Sequence, residues 1–115
     1  MTEKPERIGG NITLINFNKL EPAEIIVVKK IIGTFVKKIA ERTAYKEIRV
    51  RLKESRHSNQ TLHEIQVDIT TEIKGPKKKS EKVLAFSSEG YNLYSAISDA
   101  FKNALSGIEH NEKKE

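Results

Sequence analysis

Lysine and arginine side chains supply most of the chemistry that this sequence can perform. Lys77, Lys78 and Lys79 form one basic run, and Lys37 and Lys38 form another. The segment from Lys29 to Lys82 holds 15 basic and 7 acidic residues, a net charge of +8, whereas the whole chain of 115 residues carries +5. A cationic field of this kind attracts phosphates and releases their counterions. The charge pattern therefore favours a nucleic-acid partner, and a merely solvated basic surface is the alternative.

Enzymatic chemistry is poorly represented in the chain. There is no cysteine, which excludes a disulfide, a thiolate metal site and a thiol nucleophile. The three histidines are His57, His63 and His110, and none has a nucleophile or carboxylate at a recognisable catalytic spacing. No glycine-rich phosphate loop is present. We predict a protein that is not an enzyme and has no cofactor, metal or small-molecule substrate; a metal held between His57 and His63 is the weaker alternative.

The first half of the chain predicts a strand, a helix and a second strand. β-Branched residues between Asn11 and Phe17 indicate the first strand. Pro22, with Glu21 and Glu24 beside it, marks the start of a helix. Between Lys46 and Lys53 the apolar period changes to two, as in a half-buried strand. The apolar stripe of the helix follows the 3.6-residue repeat and consists of Ile25, Val28, Ile32, Phe35, Val36 and Ile39.

The second half predicts two more strands and a last helix. After a polar loop at 54–60, apolar and polar residues alternate from His63 to Ile73, and this strand forms a hairpin with the preceding one. A basic turn leads to a short apolar strand, 82–87. Asn92 is a suitable N-cap for the last helix, which we expect to end near Gly107 and Ile108. Its apolar side comprises Leu93, Ile97, Ala100, Phe101, Ala104, Leu105 and Ile108.

The predicted order of elements is β-α-β-β-β-α. We expect an α+β fold of two layers, in which two helices pack on one face of a four-stranded sheet. The chain divides into a flexible N-terminal segment, 1–10, a single domain, 11–109, and a disordered charged tail, 110–115. No secretion signal is present and the longest apolar run, Ile25 to Val28, is far shorter than a membrane span. We therefore expect a cytoplasmic protein without a membrane partner.

The predicted elements place the basic side chains on three surfaces. One surface is the exposed side of the first helix, one is the open face of the sheet, and one is the basic turn. On the sheet, Arg49 and Arg51 either contact RNA or pair with acids of the next strand, among them Glu64 and Asp68. The predicted RNA-binding residues are Lys30, Lys37, Lys38, Arg49, Arg51, Lys77, Lys78, Lys79, Lys82 and Lys102.

Two interpretations are open for the role of several aromatic and apolar residues. Tyr91 and Tyr94 either stack on a base or pack at the corner before the last helix, and packing is the commoner role. Ile26, Val27 and Ile31 fall outside the centre of the apolar stripe of the first helix. They either pack at the edge of that helix or contact a partner, and packing is again the commoner role.

The junction between the last strand and the last helix carries a more specific pattern. Residues Ser88-Glu89-Gly90-Tyr91-Asn92-Leu93-Tyr94-Ser95-Ala96-Ile97 resemble the same segment of the ribosome hibernation promoting factor family. In that family an acid and a glycine lead into a helix that opens with an aspartate, an apolar residue, a tyrosine, two small residues and an isoleucine. Asn92 stands at the aspartate position. The segments 63–69 and 48–52 resemble the third and second strands of the family.

This resemblance implies a ribosome-associated factor of hibernation or translation inhibition during stress. Such a factor binds the small ribosomal subunit and its ribosomal RNA through basic side chains, and it blocks messenger and transfer RNA sterically. The chain resembles a short form of the family, without the further C-terminal domain that pairs ribosomes.

The last helix departs from the family pattern. Its outer face keeps only Lys102, and Asn103 and Ser106 stand where basic residues are usual. One reading is that the RNA contact lies on the first helix and the loop at 77–79. The alternative is a protein-interaction module of the same fold, a weak homodimer formed through the open sheet face or the apolar edge of the first helix.

Overall fold

The computed structural model describes residues 5–74 and 79–113. It contains a single sheet and two helices, which confirms the predicted α+β fold with both helices on one face. In chain order the elements are β1 (Pro5–Arg7), β2 (Ile12–Ile15), α1 (Pro22–Arg42), β3 (Tyr45–His57), β4 (Gln60–Lys74), β5 (Lys79–Gly90) and α2 (Leu93–Lys113).

The strands lie in the order β1-β2-β3-β4-β5, so sequence neighbours are also neighbours in the sheet. Strands β2 and β3 are parallel, with Leu14 opposite Val50. Parallel neighbours need a long crossover connection, and α1 provides it. Strands β3, β4 and β5 form an antiparallel meander in which Val50, Val67 and Phe86 lie opposite one another. The sheet therefore has two unequal edges, the short β1 and the long β5.

The core lies between the sheet and the helices. Strand alternation sends the apolar side chains of β3 and β4 to the helical side, and the predicted stripes of α1 and α2 cover them. Each such side chain contributes about 1.5–3 kcal/mol when fully buried. The least exposed of the large ones include Phe17, Phe101, Leu14, Ile32, Ile39, Ile48, Leu52, Ile65, Ile69 and Ile97.

Both predicted helix starts are confirmed. At α1, the backbone N–H of Glu21 donates to Oε1 of Glu24 at 3.0 Å, and Pro22 occupies the first turn. At α2, the backbone N–H of Ser95 donates to Oδ1 of Asn92 at 3.0 Å. These contacts satisfy amides that the first turn of a helix leaves without intrahelical partners.

The expected four strands are one too few. Pro5–Arg7 forms a fifth strand, β1, antiparallel to β2, within the segment 1–10 that was predicted to be flexible. Its three residues are all exposed, so the sequence of this strand shows no alternation of apolar and polar residues. The expected loop at 54–60 is also too long, because β3 and β4 continue to His57 and Gln60 around a two-residue turn. The residues at these strand ends are polar and pair only through their backbones. The spacing of apolar residues in the sequence therefore does not indicate that the strands continue.

The last helix does not end near Gly107, as expected, but continues to Lys113. Gly107 has a packing role instead, since a Cβ atom at this position would lie 2.2 Å from Cε1 of Phe86. The absence of a side chain thus lets α2 approach β5 closely. Gly33, in α1, has no such neighbour, because a Cβ there would meet nothing within 4 Å.

The long meander makes the molecule elongated, with extents of 53 × 25 × 25 Å. The β3–β4 turn projects at one end beyond β5, which ends opposite His63. The β4–β5 hairpin projects at the other end, beyond Tyr45 of β3. Within the described ranges, neither helix has the length and hydropathy required to cross a membrane.

The two helical glycines should respond oppositely to alanine. We expect Gly107→Ala to lower the free energy of unfolding by about 1–3 kcal/mol, because the new methyl group collides with the Phe86 ring. Gly33→Ala should raise it by roughly 0.5–1 kcal/mol, since alanine restricts the unfolded chain and fits without contact. Urea unfolding of both variants measures the difference. Equal effects from the two substitutions would contradict the packing role of Gly107.

Candidate nucleic-acid interface

The solvent face of α1 carries lysines that are not engaged by the rest of the fold. Lys30 and Lys37 are exposed and lie on the side opposite the buried stripe, roughly 10 Å apart along the helix axis. Among the described residues, neither ammonium group has a carboxylate within 4.0 Å. Both charges are therefore available to an anionic partner.

An aromatic stack joins α1 to α2 beneath two further lysines. The rings of Phe35 and Phe101 are 5.5 Å apart between centroids and nearly parallel, at 15°. Nζ of Lys38 lies 5.4 Å from the centroid of the Phe35 ring, in a cation–π contact. Lys102 directly follows Phe101 in α2 and is exposed. The stack thus places Lys38 at the contact between the helices, and Lys102 is the next residue after the Phe101 ring on α2.

Lys29 differs from the other lysines of α1. Its Nζ lies 3.1 Å from Oε1 of Glu6, so β1 supplies a carboxylate to this end of the helix. Both side chains are about half exposed, and an ion pair at such a site contributes less than about 1 kcal/mol. The pair nevertheless neutralises Lys29 locally, and the available charge on α1 lies towards its C-terminal half.

Asn103, at a position where a basic residue was expected, is used by the fold. Its Nδ2 donates to the backbone carbonyl oxygen of Ser87 at 3.0 Å. This bond joins α2 to β5 on the flank of α2 that also carries Gly107. A lysine at this position could not make the same short amide contact, which gives the departure from the family pattern a structural reason.

The open face of the sheet has mixed charge. The predicted opposition of basic and acidic residues is present in the register, with Arg49 opposite Asp68 and Lys53 opposite Glu64. The register does not produce the expected ion pairs, however. Within the described part of the chain, neither Arg49 nor Lys53 has a carboxylate within 4.0 Å. Asp68 instead accepts two hydrogen bonds from Nε2 of Gln66, at 3.0 and 3.2 Å.

Carboxylates outnumber cations on this open face. Strand alternation places Arg7, Arg49, Arg51 and Lys53 on this side, and Lys46 reaches Glu81 there. The carboxylates on the same side number six: Glu47, Glu64, Asp68, Glu72, Glu81 and Glu89. A depression of about 350 Å³ between the strands is lined by both signs, including Arg51, Lys53, Glu64 and Glu89. Glu64 and Glu89 are directly opposite each other, which adds like-charge repulsion. This face is therefore of mixed charge and offers a polyanion no uniformly positive surface.

The β4–β5 hairpin contributes a third basic region. Lys82 is exposed, and the backbone of Lys79 pairs with that of Lys74. Lys77 and Lys78 lie outside the described residues. Lys46, at the start of β3, reaches across to Glu81, and the hydrogen bond and charge of that carboxylate raise the pKa of Lys46. Glu81 thus engages Lys46 at neutral pH, while Lys82 has no such partner among the described residues.

The histidines have ordinary structural contacts. His63 lies 3.3 Å from Oε2 of Glu54 through Nε2 and 3.3 Å from the carbonyl oxygen of Gly90 through Nδ1. His57 is exposed and contacts Oγ of Ser55 at 3.2 Å. Within residues 5–74 and 79–113, no three histidine, aspartate or glutamate side chains come together in a way that could hold a metal ion.

The apolar and aromatic residues for which two roles were open fall into a packed group and an exposed group in the structure. Ile31 and Tyr94 pack against the core. Ile26, Val27 and Tyr91 are exposed, Ile26 at 58%. A contact that the sequence did not indicate involves Tyr45, whose hydroxyl donates to the carbonyl oxygen of Gly10 at 2.7 Å and ties β3 to the β1–β2 turn.

The ten predicted RNA-binding residues therefore do not form one surface. Lys30, Lys37 and Lys38 share α1, and Lys102 lies beside them on α2. The β3 residues Arg49 and Arg51 lie on the opposite side of the molecule. The hairpin residues, as far as they are described, lie at one end.

The aromatic stack should stabilise the helical layer. We expect Phe35→Ala to lower the free energy of unfolding by about 2 kcal/mol, because it removes a large part-buried ring from Phe101. Thr34→Ala is a matched control on the same turn, whose exposed hydroxyl donates to the Lys30 carbonyl at 3.0 Å; its effect should stay within about 0.5 kcal/mol. Urea unfolding measures both. A Phe35→Ala variant as stable as the control would show that the stack contributes nothing.

No protein-family model and no curated protein matches the sequence. Among solved structures, the N-terminal domain of Thermus thermophilus Protein Y is similar to this chain. The two share 15% sequence identity over 73% of this chain and 81% of the other, with a TM-score of 0.46. A likeness of this degree identifies neither the family nor the function of the chain.

Proposed function

We propose that this protein binds ribosomal RNA of the small ribosomal subunit through its helical layer and acts by occupying space rather than by catalysis. The observation that carries the proposal is the cluster of exposed lysines on α1 and at its seam with α2, of which Lys30 and Lys37 have no carboxylate partner among the described residues. The choice of the small ribosomal subunit as the partner rests on the resemblance of the 88–97 segment to hibernation promoting factors.

The charges of the two faces support this choice of surface. RNA binding through phosphates needs cations that are not already neutralised. Both faces offer such cations, Lys30 and Lys37 on α1 and Arg49 and Lys53 on the sheet, whereas Glu6 engages Lys29. On the sheet face, six carboxylates of β3, β4 and β5 lie on the same side as Arg49, so that a phosphate near Arg49 would also approach Asp68. The helical layer is therefore the primary interface, and Arg49 and Arg51 contribute less.

The shape of the protein supports a steric mechanism. A well-packed rod of 53 × 25 × 25 Å is large beside a single RNA strand, and its core leaves little freedom to yield. Such a body bound in the decoding region excludes messenger and transfer RNA without any chemical step. Action during growth arrest, in the cytoplasm, is the finer role that the family resemblance suggests.

A homodimeric module without ribosome binding is the second candidate. The observation that favours it is the exposed apolar pair on α1, with Ile26 at 58% and Val27 at 39%. Exposed apolar residues occur singly on most proteins, however, and this pair is small.

The helical interface is tested by sedimentation with purified small ribosomal subunits at several salt concentrations. We expect saturable binding that weakens steeply with salt. The double variant Lys30→Gln, Lys37→Gln should weaken binding by at least about tenfold and flatten the slope of log affinity against log salt by about 1.5, because two phosphate contacts are lost.

The matched control is Arg49→Gln, Lys53→Gln, which removes the same charge from the sheet face. It should change the affinity much less than the α1 variant does. Equal losses from both double variants would show that binding follows net charge alone and would contradict a helical interface. Absence of saturable binding by the parent protein would contradict the proposed function.

The basic hairpin makes a separate prediction. If the β4–β5 hairpin contacts ribosomal RNA, the triple variant Lys77→Glu, Lys78→Glu, Lys79→Glu should lose binding to small subunits in the same sedimentation assay, because the reversed charges repel phosphates. Circular dichroism checks that the variant remains folded. Sedimentation equal to that of the parent would show that this hairpin has no part in binding.

A further inference from the structure

The two edges of the sheet are protected very differently. β1 presents only three residues and begins with proline, a residue that cannot donate to a further strand. β5 presents twelve residues and is paired on one side only, along its whole length with β4. A long edge strand is a template for pairing with another strand.

Three contacts establish which backbone groups of β5 point away from β4. The Lys82 carbonyl accepts from Oγ1 of Thr71 at 3.5 Å, and the Gly90 carbonyl lies 3.3 Å from Nδ1 of His63, so both face β4. The Ser87 carbonyl instead bonds to Asn103 of α2. Along an antiparallel strand these directions alternate. The N–H and C=O groups of residues 81, 83 and 85 therefore point outward.

The side chains along this outward stretch do little to prevent pairing. Val83 is 59% exposed and Ala85 is also exposed, both on the open face of the sheet. Glu81 is directed to Lys46. Asn103 covers the edge at Ser87, but among the described residues no side chain of α2 hydrogen-bonds to the edge between 81 and 85.

We propose that β5 pairs with β5 of a second copy of this chain, antiparallel, about a two-fold axis at Val83. Val83 then lies opposite Val83 of the other copy, Glu81 opposite Ala85, and Lys82 opposite Leu84. In this register no charged residue faces one of like sign, and the exposed apolar side chains cover each other.

Neighbouring registers are less favourable. An axis at Lys82 or at Glu81 sets that residue against its own copy, which like charge disfavours. An axis at Leu84 sets residue 81 opposite Ser87, whose carbonyl Asn103 already uses, so that fewer of the outward groups find partners. The self-complementary register at Val83 is the reason that a second copy, rather than an unrelated strand, fits this edge.

The pairing joins the two sheets into one and keeps all helices on the same side. It involves only a short stretch of strand, so association is weak and requires high protein concentration. The lysines of α1 remain exposed in the pair. Dimerisation and ribosome binding are therefore separate properties, and either can fail without the other.

Disulfide cross-linking tests the register, because the chain has no cysteine of its own. In the proposed dimer the two Cα atoms at position 83 are about 5.5 Å apart, within the range that a disulfide bridges. We expect Val83→Cys to form a covalent dimer under mild oxidation. Ile26→Cys is the matched control, equally exposed at 58% but on α1, and should cross-link only at the rate of random collision.

Sedimentation equilibrium provides a second, independent test. We expect the parent protein to dimerise with rising concentration, and Val83→Lys to raise the dissociation constant at least about tenfold by opposing two charges. Ile26→Lys should leave it unchanged, and circular dichroism checks that both variants are folded. A parent that remains monomeric, or a Val83→Cys variant that cross-links no faster than Ile26→Cys, overturns the proposal; a dimer insensitive to Val83→Lys uses another surface and overturns it as well.

Discussion

Burial on one face of the sheet is the constraint on which the rest of the structure depends. Side chains alternate along β3 after the irregularity between Tyr45 and Glu47, so Ile48, Val50 and Leu52 must all be covered from the same side. Both helices pack on that side and meet through Phe35 and Phe101. Their outer surfaces then become one face of the molecule, while the polar residues of the strands form the other. The division between a helical face, where Lys30 and Lys37 are exposed, and a sheet face of mixed charge follows from this arrangement.

The same constraint leaves the ends and edges of the sheet with their own roles. β3, β4 and β5 are longer than the helices need for cover, so their hairpins project at both ends. Only one side of β5 is paired, and Asn103 of α2 donates to the Ser87 carbonyl at its edge. The position that lacks the expected lysine thus serves the join between α2 and β5. At this position a hydrogen bond between α2 and β5 takes the place of a basic side chain.

The sequence predicted the elements whose buried residues recur with a regular period along the chain. The stripe of α1 and the opposition of basic residues on β3 to acids on β4 follow from periods of 3.6 and 2, and Pro22 and Asn92 marked the helix starts by local chemistry. It could not predict β1, whose pairing involves only backbone, or the preference of Asp68 for Gln66. The prediction that α2 ends near Gly107 was wrong. Gly107 is required by its contact with Phe86, which is distant in the sequence and so could not be predicted from local pattern. Of the candidate site, the lysines of α1 were predicted together, whereas the separation of the sheet arginines from them required the packed structure.

The helical layer, and not the sheet face, is the surface that we propose contacts ribosomal RNA. A photo-cross-linker attached to a single cysteine tests this most directly, since the chain contains no other cysteine. The probe is placed in turn at Lys37→Cys on α1 and at Lys53→Cys on the open face, both exposed sites, and irradiated with small ribosomal subunits. A helical interface requires cross-links to ribosomal RNA from position 37 and few from position 53. Cross-links mainly from position 53 would place the interface on the sheet face instead.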